Sequence, residues 1–285
     1  MKTILKTEHL NKVYRLGSFT HRIQINALND VNLTVESDEP VIVSLVGESG
    51  SGKTTLAKTI LRLVQPTSGQ ATVYDRVVAG AGQKPAQTEF LRTVQPIFQN
   101  PFEAFSRYRT IDAYLYETAT RVAQLDRDAA IGAIEEALAS VGLEYADVRG
   151  KYPNQFSGGE LQRASVARAL IPHPSLIIAD EPVSMIDASR RMIIINLFLA
   201  LKQEYNTSFL YITHDLATAY YISDYIAVMN HGTVVEFGEA KQVLSNPQHE
   251  YTQLLLDSIP RLDHKWVDEP YLDPNTFARP AESRA

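Results

Sequence analysis

In this chain, residues 47–54 read Gly47-Glu48-Ser49-Gly50-Ser51-Gly52-Lys53-Thr54, which is the glycine spacing of a phosphate-binding loop. Residues 41–46 before it form a nearly continuous apolar run, as a strand covered on both faces does, and residues 54–64 after it predict a helix. Glycines let backbone N–H groups surround a phosphate, and the helix N-terminus adds a favourable dipole. The alternative is a glycine turn with an exposed lysine. The flanking strand and helix favour phosphate binding, with Lys53 reaching the phosphates and Thr54 a Mg²⁺ ion.

Two acidic residues follow another apolar run. Residues 176–179 predict a buried strand that ends at Asp180 and Glu181. An aspartate at such a strand tip, beside a phosphate loop, can hold Mg²⁺ directly or through water. The adjacent glutamate can polarise an attacking water as a general base. The two acids could also begin a surface turn before Pro182, but the phosphate loop upstream favours the catalytic interpretation.

A second candidate anion site lies between these two motifs. Ser157-Gly158-Gly159-Glu160 opens a helix that is predicted over residues 159–170. A serine and free backbone N–H groups at a helix start can bind an anion, although an ordinary serine N-cap has the same sequence. Because one nucleotide needs only one such cap, the second cap indicates a nucleotide that is held by another subunit.

Three further side chains are candidates with weaker signals. His214 follows a predicted strand and could donate a hydrogen bond to a γ-phosphate, although a single histidine is usually an ordinary loop residue. Gln99 stands where strands give way to a helical stretch, and could contact Mg²⁺ or serve only the turn. Tyr14 could stack on an adenine ring, although an aromatic residue in a strand more often belongs to the core.

The composition excludes several kinds of site. The chain has 285 residues, 45% hydrophobic and 21% charged, as suits a globular protein. It contains no cysteine, which excludes disulfides, thiolate zinc sites and iron–sulfur clusters. Its net charge of −6, without a basic block, weighs against a nucleic-acid partner.

The N-terminus is too polar for a signal peptide, and the strongest apolar run, residues 192–201, is too short for a membrane span. We therefore expect a cytosolic chain, or one that reaches a membrane through partners.

The order of the predicted elements indicates an α/β fold. Residues 4–46 alternate short apolar stretches with turns, as β-rich segments do. Residues 110–171 are helical in spacing, with helices expected over 111–125 and 127–141. Further strands are expected at residues 71–74, 208–213, 226–229 and 233–236, the last two joined as a hairpin. Strands that alternate with helices imply a mostly parallel sheet, and a tail of weak order is expected from Pro260.

Taken together, these motifs resemble those of the ATP-binding subunits of ABC transporters. All seven elements occur in the family's order and at its spacing, and the resemblance covers residues 4–260. The similar elements are the Walker A motif at residues 47–54, the Walker B motif at 176–181, the signature motif at 156–160, the D-loop at 184–187, the Q-loop at Gln99, the switch histidine at His214 and the A-loop aromatic at Tyr14.

The resemblance implies a fold and a domain plan. The fold would be α/β, with a P-loop NTPase core on a mostly parallel sheet, an N-terminal antiparallel β subdomain and an inserted α-helical subdomain. The nucleotide-binding domain would span residues 1–260, with the helical subdomain at about 100–171. Residues 261–285 would form a C-terminal extension.

The resemblance also implies a role for each site residue. Glu181 and His214 would be catalytic, and Asp187 would belong to the D-loop. Thr54, Gln99 and Asp180 would hold Mg²⁺. The ATP-binding residues would be Tyr14, Gly47, Glu48, Ser49, Gly50, Ser51, Gly52, Lys53, Thr54 and Thr55, and the residues that contact ATP on the partner would be Ser157, Gly158, Gly159 and Glu160.

Members of this family work as assemblies. The resemblance implies a second ATP-binding subunit, identical or paralogous, two transmembrane permease subunits and an extracellular or periplasmic solute-binding protein, with no nucleic acid. The chain would lie on the cytoplasmic face of the cell membrane. Residues 91–105 and 249–260 look like the oligopeptide/dipeptide importer branch, and within it the "F" type of subunit. Importers of this branch also handle oligosaccharides and nickel.

Some features depart from the family pattern, and two other classes of protein share part of the motif set. Glu160 stands where glutamine is usual, Met185 and Ile186 stand where Ala-Leu is common, and the cysteine cluster of some relatives is absent. A soluble ABC ATPase that acts on nucleic acid or ribosomes typically carries a long coiled coil or two such domains, and neither is present. A P-loop kinase or GTPase would not need residues 156–160.

Overall fold

The computed structural model describes residues 1–17 and 23–258. Its strands are β1 (Lys2–Leu16), β2 (Ile23–Ser37), β3 (Ile42–Val46), β4 (Ser68–Val73), β5 (Arg76–Ala79), β6 (Val94–Ile97), β7 (Leu176–Asp180), β8 (Ser208–Ile212), β9 (Tyr225–Asn230) and β10 (Thr233–Glu239). Its α-helices are α1 (Lys53–Ile60), α2 (Gln87–Thr93), α3 (Ile111–Glu117), α4 (Arg127–Ser140), α5 (Tyr145–Val148), α6 (Gly158–Leu170), α7 (Ala188–Glu204), α8 (Leu216–Ile222), α9 (Ala240–Ser245) and α10 (Glu250–Asp257).

The larger sheet has six strands in the order β10-β9-β3-β8-β7-β6. The five strands from β9 to β6 pair in parallel, and β10 pairs antiparallel with β9. Every residue of β3 and β8 is buried, which explains their continuous apolar sequences, because both faces of this sheet are covered. The prediction of a mostly parallel sheet is confirmed.

The smaller sheet is antiparallel, in the order β2-β1-β4-β5. Val31, Leu33 and Val35 of β2 are buried while the residues between them are exposed, which is the pattern of a strand with one face on a core. That face shares a hydrophobic cluster with Leu56 and Ile60 of α1. The antiparallel N-terminal sheet is therefore also confirmed.

Helices α3 to α6 lie between β6 and β7 in the chain and pack in one core with the other face of the parallel sheet. The sequence predicts one helix over residues 111–125, but the segment is helical only as far as Val122 and changes type on the way. α3 ends at Glu117, and a π-helical turn covers Thr118–Val122. The N–H groups of Ala123 and Leu125 donate to carbonyls five and six residues back, so the helical spacing widens there.

Helix α1 is also shorter than the sequence predicts. A helix over residues 54–64 is expected, but α1 covers Lys53–Ile60. Arg62 has a left-handed φ of 61°, and its guanidinium donates to the carbonyls of Val78 and Pro85. These bonds hold the chain in a turn away from the helix axis, an arrangement that depends on residues distant in sequence.

The parallel sheet brings the candidate site together. β3 leads into the phosphate loop, β7 ends at Asp180, and β8 leads towards His214. β6 ends two residues before Gln99. Because the carboxyl ends of neighbouring parallel strands lie at one edge of a sheet, these residues share that edge.

Two expectations concern the membrane and the tail. Across residues 1–17 and 23–258, the structure has no helix that combines the length and the apolar character needed to cross a membrane. The expected weakly ordered tail from Pro260, and with it residues 261–285, lies outside the described residues.

Candidate nucleotide site

The phosphate loop needs glycine at two positions for steric reasons. Gly47 has a φ of 148°, and a Cβ there would come within 2.1 Å of the Met229 carbonyl oxygen. Gly52 has a φ of 107°, and a Cβ there would lie 2.4 Å from the carbonyl oxygen of Ala27. Neither position can take a side chain without moving the backbone. The backbone of the loop therefore passes close to the backbones of β9 and β2 at these two glycines.

Lys53, the first residue of α1, is buried and bonds to its own loop. Its ammonium Nζ donates to the carbonyl of Gly47 at 2.7 Å, the carbonyl of Glu48 at 2.8 Å and the hydroxyl of Ser51 at 3.3 Å. Burial lowers the pKa of Lys53, and the nearby carboxylates of Glu181 and Asp180 oppose that shift. A cation held at this point can attract an anion over the loop.

Thr54 and Asp180 form a pair of oxygen ligands next to this lysine. The hydroxyl of Thr54 donates to Oδ1 of Asp180 at 3.3 Å. Burial raises the pKa of Asp180, while the hydrogen bond from Thr54 acts in the opposite direction. A hydroxyl and a carboxylate are the ligand types that Mg²⁺ prefers, so the donor set fits this ion.

Glu181 is the point on which three strand ends converge. Its Oε2 accepts from Nε2 of Gln99 at 2.9 Å, and its Oε1 lies 3.1 Å from Nδ1 of His214. Its own N–H donates to the Ile212 carbonyl of β8. The side chain is only 19% exposed, so these partners fix a carboxylate that can orient and deprotonate a water molecule.

The structure thus groups the predicted residues in two sets. The first set is Lys53, Thr54 and Asp180, at the phosphate loop. The second set is Gln99 and His214, whose side chains contact the Glu181 carboxylate. In the described part of the chain, Gln99 hydrogen-bonds to Glu181 and not to Thr54 or Asp180. A direct contact of Gln99 with Mg²⁺ therefore needs a different side-chain position from the one described here.

The signature residues form a separate hydrogen-bonded group at the start of α6. The backbone N–H and the hydroxyl of Ser157 both donate to the Glu160 carboxylate, at 2.9 and 2.6 Å, and the Ser157 hydroxyl accepts from the Glu160 N–H. This reciprocal pairing is a capping box, which stabilises a helix start. These bonds hold the pKa of Glu160 below its usual range.

Two glycines of this group have no steric explanation within the part of the chain that the structure describes. Gly158 and Gly159 have ordinary helical φ angles, and a Cβ on either would meet no atom within 4 Å. Glycine at a helix start is weakly favoured at most. The bare backbone at Gly158 is exposed and leaves room for close approach from outside.

Tyr14 and Asp187 complete the predicted set. Tyr14 is half-buried and pairs with Ile25 of β2. The Lys12 ammonium lies over its ring, 4.9 Å from the ring centre. The same strand β2 supplies the Ala27 carbonyl that lies against Gly52. Asp187 is exposed at the N-cap of α7, and its carbonyl accepts from the N–H of Arg191.

Sequence reasoning missed two polar contacts of this site. The N–H of Glu48 donates to the hydroxyl of Tyr251 at 3.1 Å, and Arg191 forms an ion pair with Asp215, the residue after His214. Asp215 also caps α8 through the N–H groups of Ala217 and Thr218. No local pattern marks these contacts, since tertiary packing alone brings the partners together.

Comparisons with known proteins agree with this geometry. The family model described as "ABC transporter" matches residues 28–184, and the model described as "Oligopeptide/dipeptide transporter, C-terminal region" matches residues 235–281. The chain is similar to the oligopeptide transport ATP-binding protein AppF of Bacillus subtilis, with 36% identity over 265 residues, 91% of this chain and 79% of that protein. It is also similar to the di/tripeptide transport ATP-binding protein DppF of Pseudomonas aeruginosa, with 34% identity over 92% of this chain and 80% of that protein.

A solved structure gives the same result for the fold. The dimeric structure of a post-hydrolysis state of an ATP-binding cassette, MJ0796, bound to ADP and Pi aligns with a TM-score of 0.70 and 26% identity, over 83% of this chain and 99% of that one. Fold, site geometry and relatives agree. The chain therefore belongs to the ATP-binding subunits of ABC transporters, and it is an ATPase of that family.

Proposed function

We propose that this chain hydrolyses ATP to power an importer of oligopeptides or dipeptides, with oligosaccharides as the second candidate cargo. The observation that carries the peptide assignment is the C-terminal family model over residues 235–281, in the same chain as the cassette model. The names of the relatives, which describe oligopeptide and di/tripeptide transport, support it.

The loop and its neighbours would hold the nucleotide. The ammonium of Lys53 and the loop N–H groups, apart from that of Glu48, would bind the phosphates, and Tyr14 would stack on the adenine. Thr54 and Asp180, with Gln99 after a side-chain movement, would hold Mg²⁺, which neutralises phosphate charge when it is bound. Lys53 would exchange its loop acceptors for phosphate oxygens.

Glu181 would act as the general base. Its carboxylate would accept the proton of a water molecule that attacks the γ-phosphate, while Gln99 and His214 keep the carboxylate in place. His214 would also donate to the γ-phosphate. Phosphoryl transfer requires mainly positioning and charge stabilisation, and this group of residues can supply both.

A second ATP-binding subunit would complete each site. Gly158 and Gly159 leave bare backbone at the start of α6, where a triphosphate held by the partner could approach closely. ATP would contact both subunits only when they are closed, so its binding would favour closure. Hydrolysis would remove the bridging contacts and reopen the pair. Asp187 would lie in the D-loop at this interface.

The permease would contact the surface that follows Gln99. Phe102 and Tyr108 are 49% and 81% exposed, whereas Phe105 is buried in the core of the helical subdomain. Exposed aromatic side chains of this kind are enriched at protein interfaces. Through this surface the chain would sit on the cytoplasmic face of the membrane, bound to two permease subunits that a solute-binding protein supplies with cargo.

Reconstitution of the complete transporter tests the proposal. The chain, expressed with candidate permease and binding-protein genes from the same genome, should copurify with two membrane proteins. In vesicles loaded with ATP, the complex should take up a labelled oligopeptide, and Glu181→Gln should abolish the uptake. Uptake of an oligosaccharide alone would replace the peptide assignment. Recovery with ribosomes or DNA and without membrane proteins would contradict transport.

A further inference from the structure

A tyrosine near the C-terminal end of the described chain contacts the phosphate loop. The hydroxyl of Tyr251 accepts a hydrogen bond from the N–H of Glu48 at 3.1 Å, between residues 203 positions apart. Glu48 is exposed, but its N–H has this partner inside the protein. Tyr251 lies in the first turn of α10, within the region that the second family model matches.

The bond acts on the same peptide group that Lys53 contacts. In the peptide group between Gly47 and Glu48, the N–H donates to the hydroxyl of Tyr251. The carbonyl oxygen of the same group accepts from Nζ of Lys53 at 2.7 Å. Gly47 has no side chain that could restrict rotation of this peptide, and its φ of 148° is one that other residues rarely adopt. The two hydrogen bonds therefore fix the orientation of the peptide.

Tyr251 is itself held firmly. Its ring packs against a cluster that includes Val46, the residue before the loop, and Leu216, two residues after His214. The N–H of Tyr251 donates to Nδ1 of His249 at 3.1 Å. The position of the hydroxyl is thus set by packing and by the backbone of α10, which makes it a fixed acceptor for the loop.

The start of α10 is in turn tied to β10. The Glu236 carboxylate accepts from the N–H groups of Gln248 and His249, at 2.9 and 3.1 Å. Burial disfavours the charged form of Glu236, but these hydrogen bonds, together with the side chains of Thr252 and His249, outweigh it and hold the pKa below its usual range. A continuous series of contacts therefore runs from β10 through α10 to the loop.

We propose that Tyr251 is a positioning residue for ATP binding, acting through the Gly47–Glu48 peptide on the loop and on Lys53. The inference rests on the proposed role of the loop in holding the phosphates of ATP. It gives the C-terminal region a direct part in the nucleotide site, because α10 supplies one of the contacts that shape the loop before ATP arrives.

The test compares two tyrosine-to-phenylalanine variants of the full-length chain. Tyr251→Phe removes the hydroxyl and keeps the ring in its cluster. We expect the KM for ATP and the Kd for ADP to rise together by about 2- to 10-fold, the usual effect of one hydrogen bond, with kcat almost unchanged. The matched control is Tyr221→Phe, which removes a hydroxyl that donates to Asn196 at 2.8 Å, away from the loop. It should leave both constants at the wild-type value.

Three results would overturn the inference. One is an unchanged KM and ADP affinity in Tyr251→Phe. Another is an equal change in Tyr221→Phe, which would indicate a general effect on the fold. A third is a fall in kcat at constant KM, which would place Tyr251 in the chemical step instead.

A second measurement does not depend on the variant folding. In the wild-type chain, the amide hydrogen of Glu48 should exchange with solvent slowly for so exposed a residue, and exchange at the rate of a free surface amide would also refute the bond. Lys53→Ala separates the two proposals. If it leaves ATP affinity unchanged, the phosphate loop is misassigned. If it weakens binding while Tyr251→Phe does not, only the role of Tyr251 fails.

Discussion

At the scale of single residues, Glu181 is the most constrained position in the site. It is not glycine, yet its φ of 45° is left-handed, a conformation that costs on the order of 1 kcal/mol. Its N–H bonds to β8, and its two carboxylate oxygens contact Gln99 and His214. The fold stabilises a strained backbone that holds one carboxylate between the side chains of Gln99 and His214.

Glu181→Gln should therefore separate binding from hydrolysis. An amide has nearly the same shape but cannot accept a proton from water, so kcat should fall by about 10²- to 10⁴-fold. The Kd for ATP should stay within a factor of two, because the loop contacts of Lys53 are unaffected. Single-turnover hydrolysis and nucleotide titration measure the two effects. Wild-type turnover in this variant would show that another group is the base.

At the scale of elements, helix α6 begins with two glycines that its own packing does not require. Gly132 in the middle of α4 shares this property, since a Cβ there also meets nothing within 4 Å. Alanine at either place adds no clash, and in the interior of α4 it should raise stability by about 0.5–1 kcal/mol. The two positions differ in one respect. We propose that a triphosphate held by the partner approaches the start of α6, and we propose no such ligand for Gly132.

This pair gives a matched prediction. Gly158→Ala should keep the wild-type melting temperature and lose most ATPase activity, because the added methyl group would occupy the space that we propose for the partner's triphosphate. Gly132→Ala should melt slightly higher and keep full activity. Calorimetry and steady-state ATPase assays of the assembled transporter measure both. Full activity in Gly158→Ala would argue against a composite site.

The anchoring of helix α10 predicts how the stability of the fold depends on pH. The pKa of Glu236 is lower in the folded chain than in the unfolded one, because the N–H groups of Gln248 and His249 favour its charged form despite burial. The stability it contributes is therefore complete at neutral pH and is lost as the pH falls below about 4. Glu236→Gln should lose less stability than wild type between pH 6 and pH 3.5.

Urea unfolding at several pH values measures this difference. Glu239→Gln, an exposed change at the end of the same strand, is the control and should follow the wild-type curve. If Glu236→Gln and wild type lose stability in parallel, the carboxylate of Glu236 does not anchor α10.

At the scale of the whole molecule, we propose that two subunits share each nucleotide site. The loop set and the signature set are separate hydrogen-bonded groups within one subunit. With ATP and Mg²⁺, Glu181→Gln should pair stably with a second ATP-binding subunit, identical or paralogous, because the trapped nucleotide contacts both. Sedimentation velocity should show the pair dissociate when nucleotide is removed. A monomer in saturating ATP, with every candidate partner present, would refute the sandwich.

The sequence predicted the parts of this molecule that local patterns encode. Strands β3 and β8 were found from continuous apolar runs, and Asp180 and Glu181 from their place at a strand end. An apolar run and the acidic residues that follow it are neighbours in the sequence, so they can be recognised without knowing the fold. A parallel sheet then brings the ends of such strands to one edge. The roles assigned to the site residues stay predictions.

Contacts between distant segments were not predictable. The change from α-helix to π-helix after Glu117 was missed because residues 118–122 keep helical spacing, so the wider π-helical turn leaves no mark in the sequence. Phe105 could not be told from Phe102, although one is buried and the other exposed. The bond between Glu48 and Tyr251 depends on how α10 packs against the parallel sheet, which no motif encodes.

The bare backbone at the start of α6 has a practical consequence for interpreting natural variation. A library scored by expression or by solubility would accept many replacements at Gly158 and Gly159, and predictors trained on folding would grade them as harmless. Their harm would emerge only in cells that must grow on the imported nutrient. Alleles at these two codons need to be judged by growth, not by abundance.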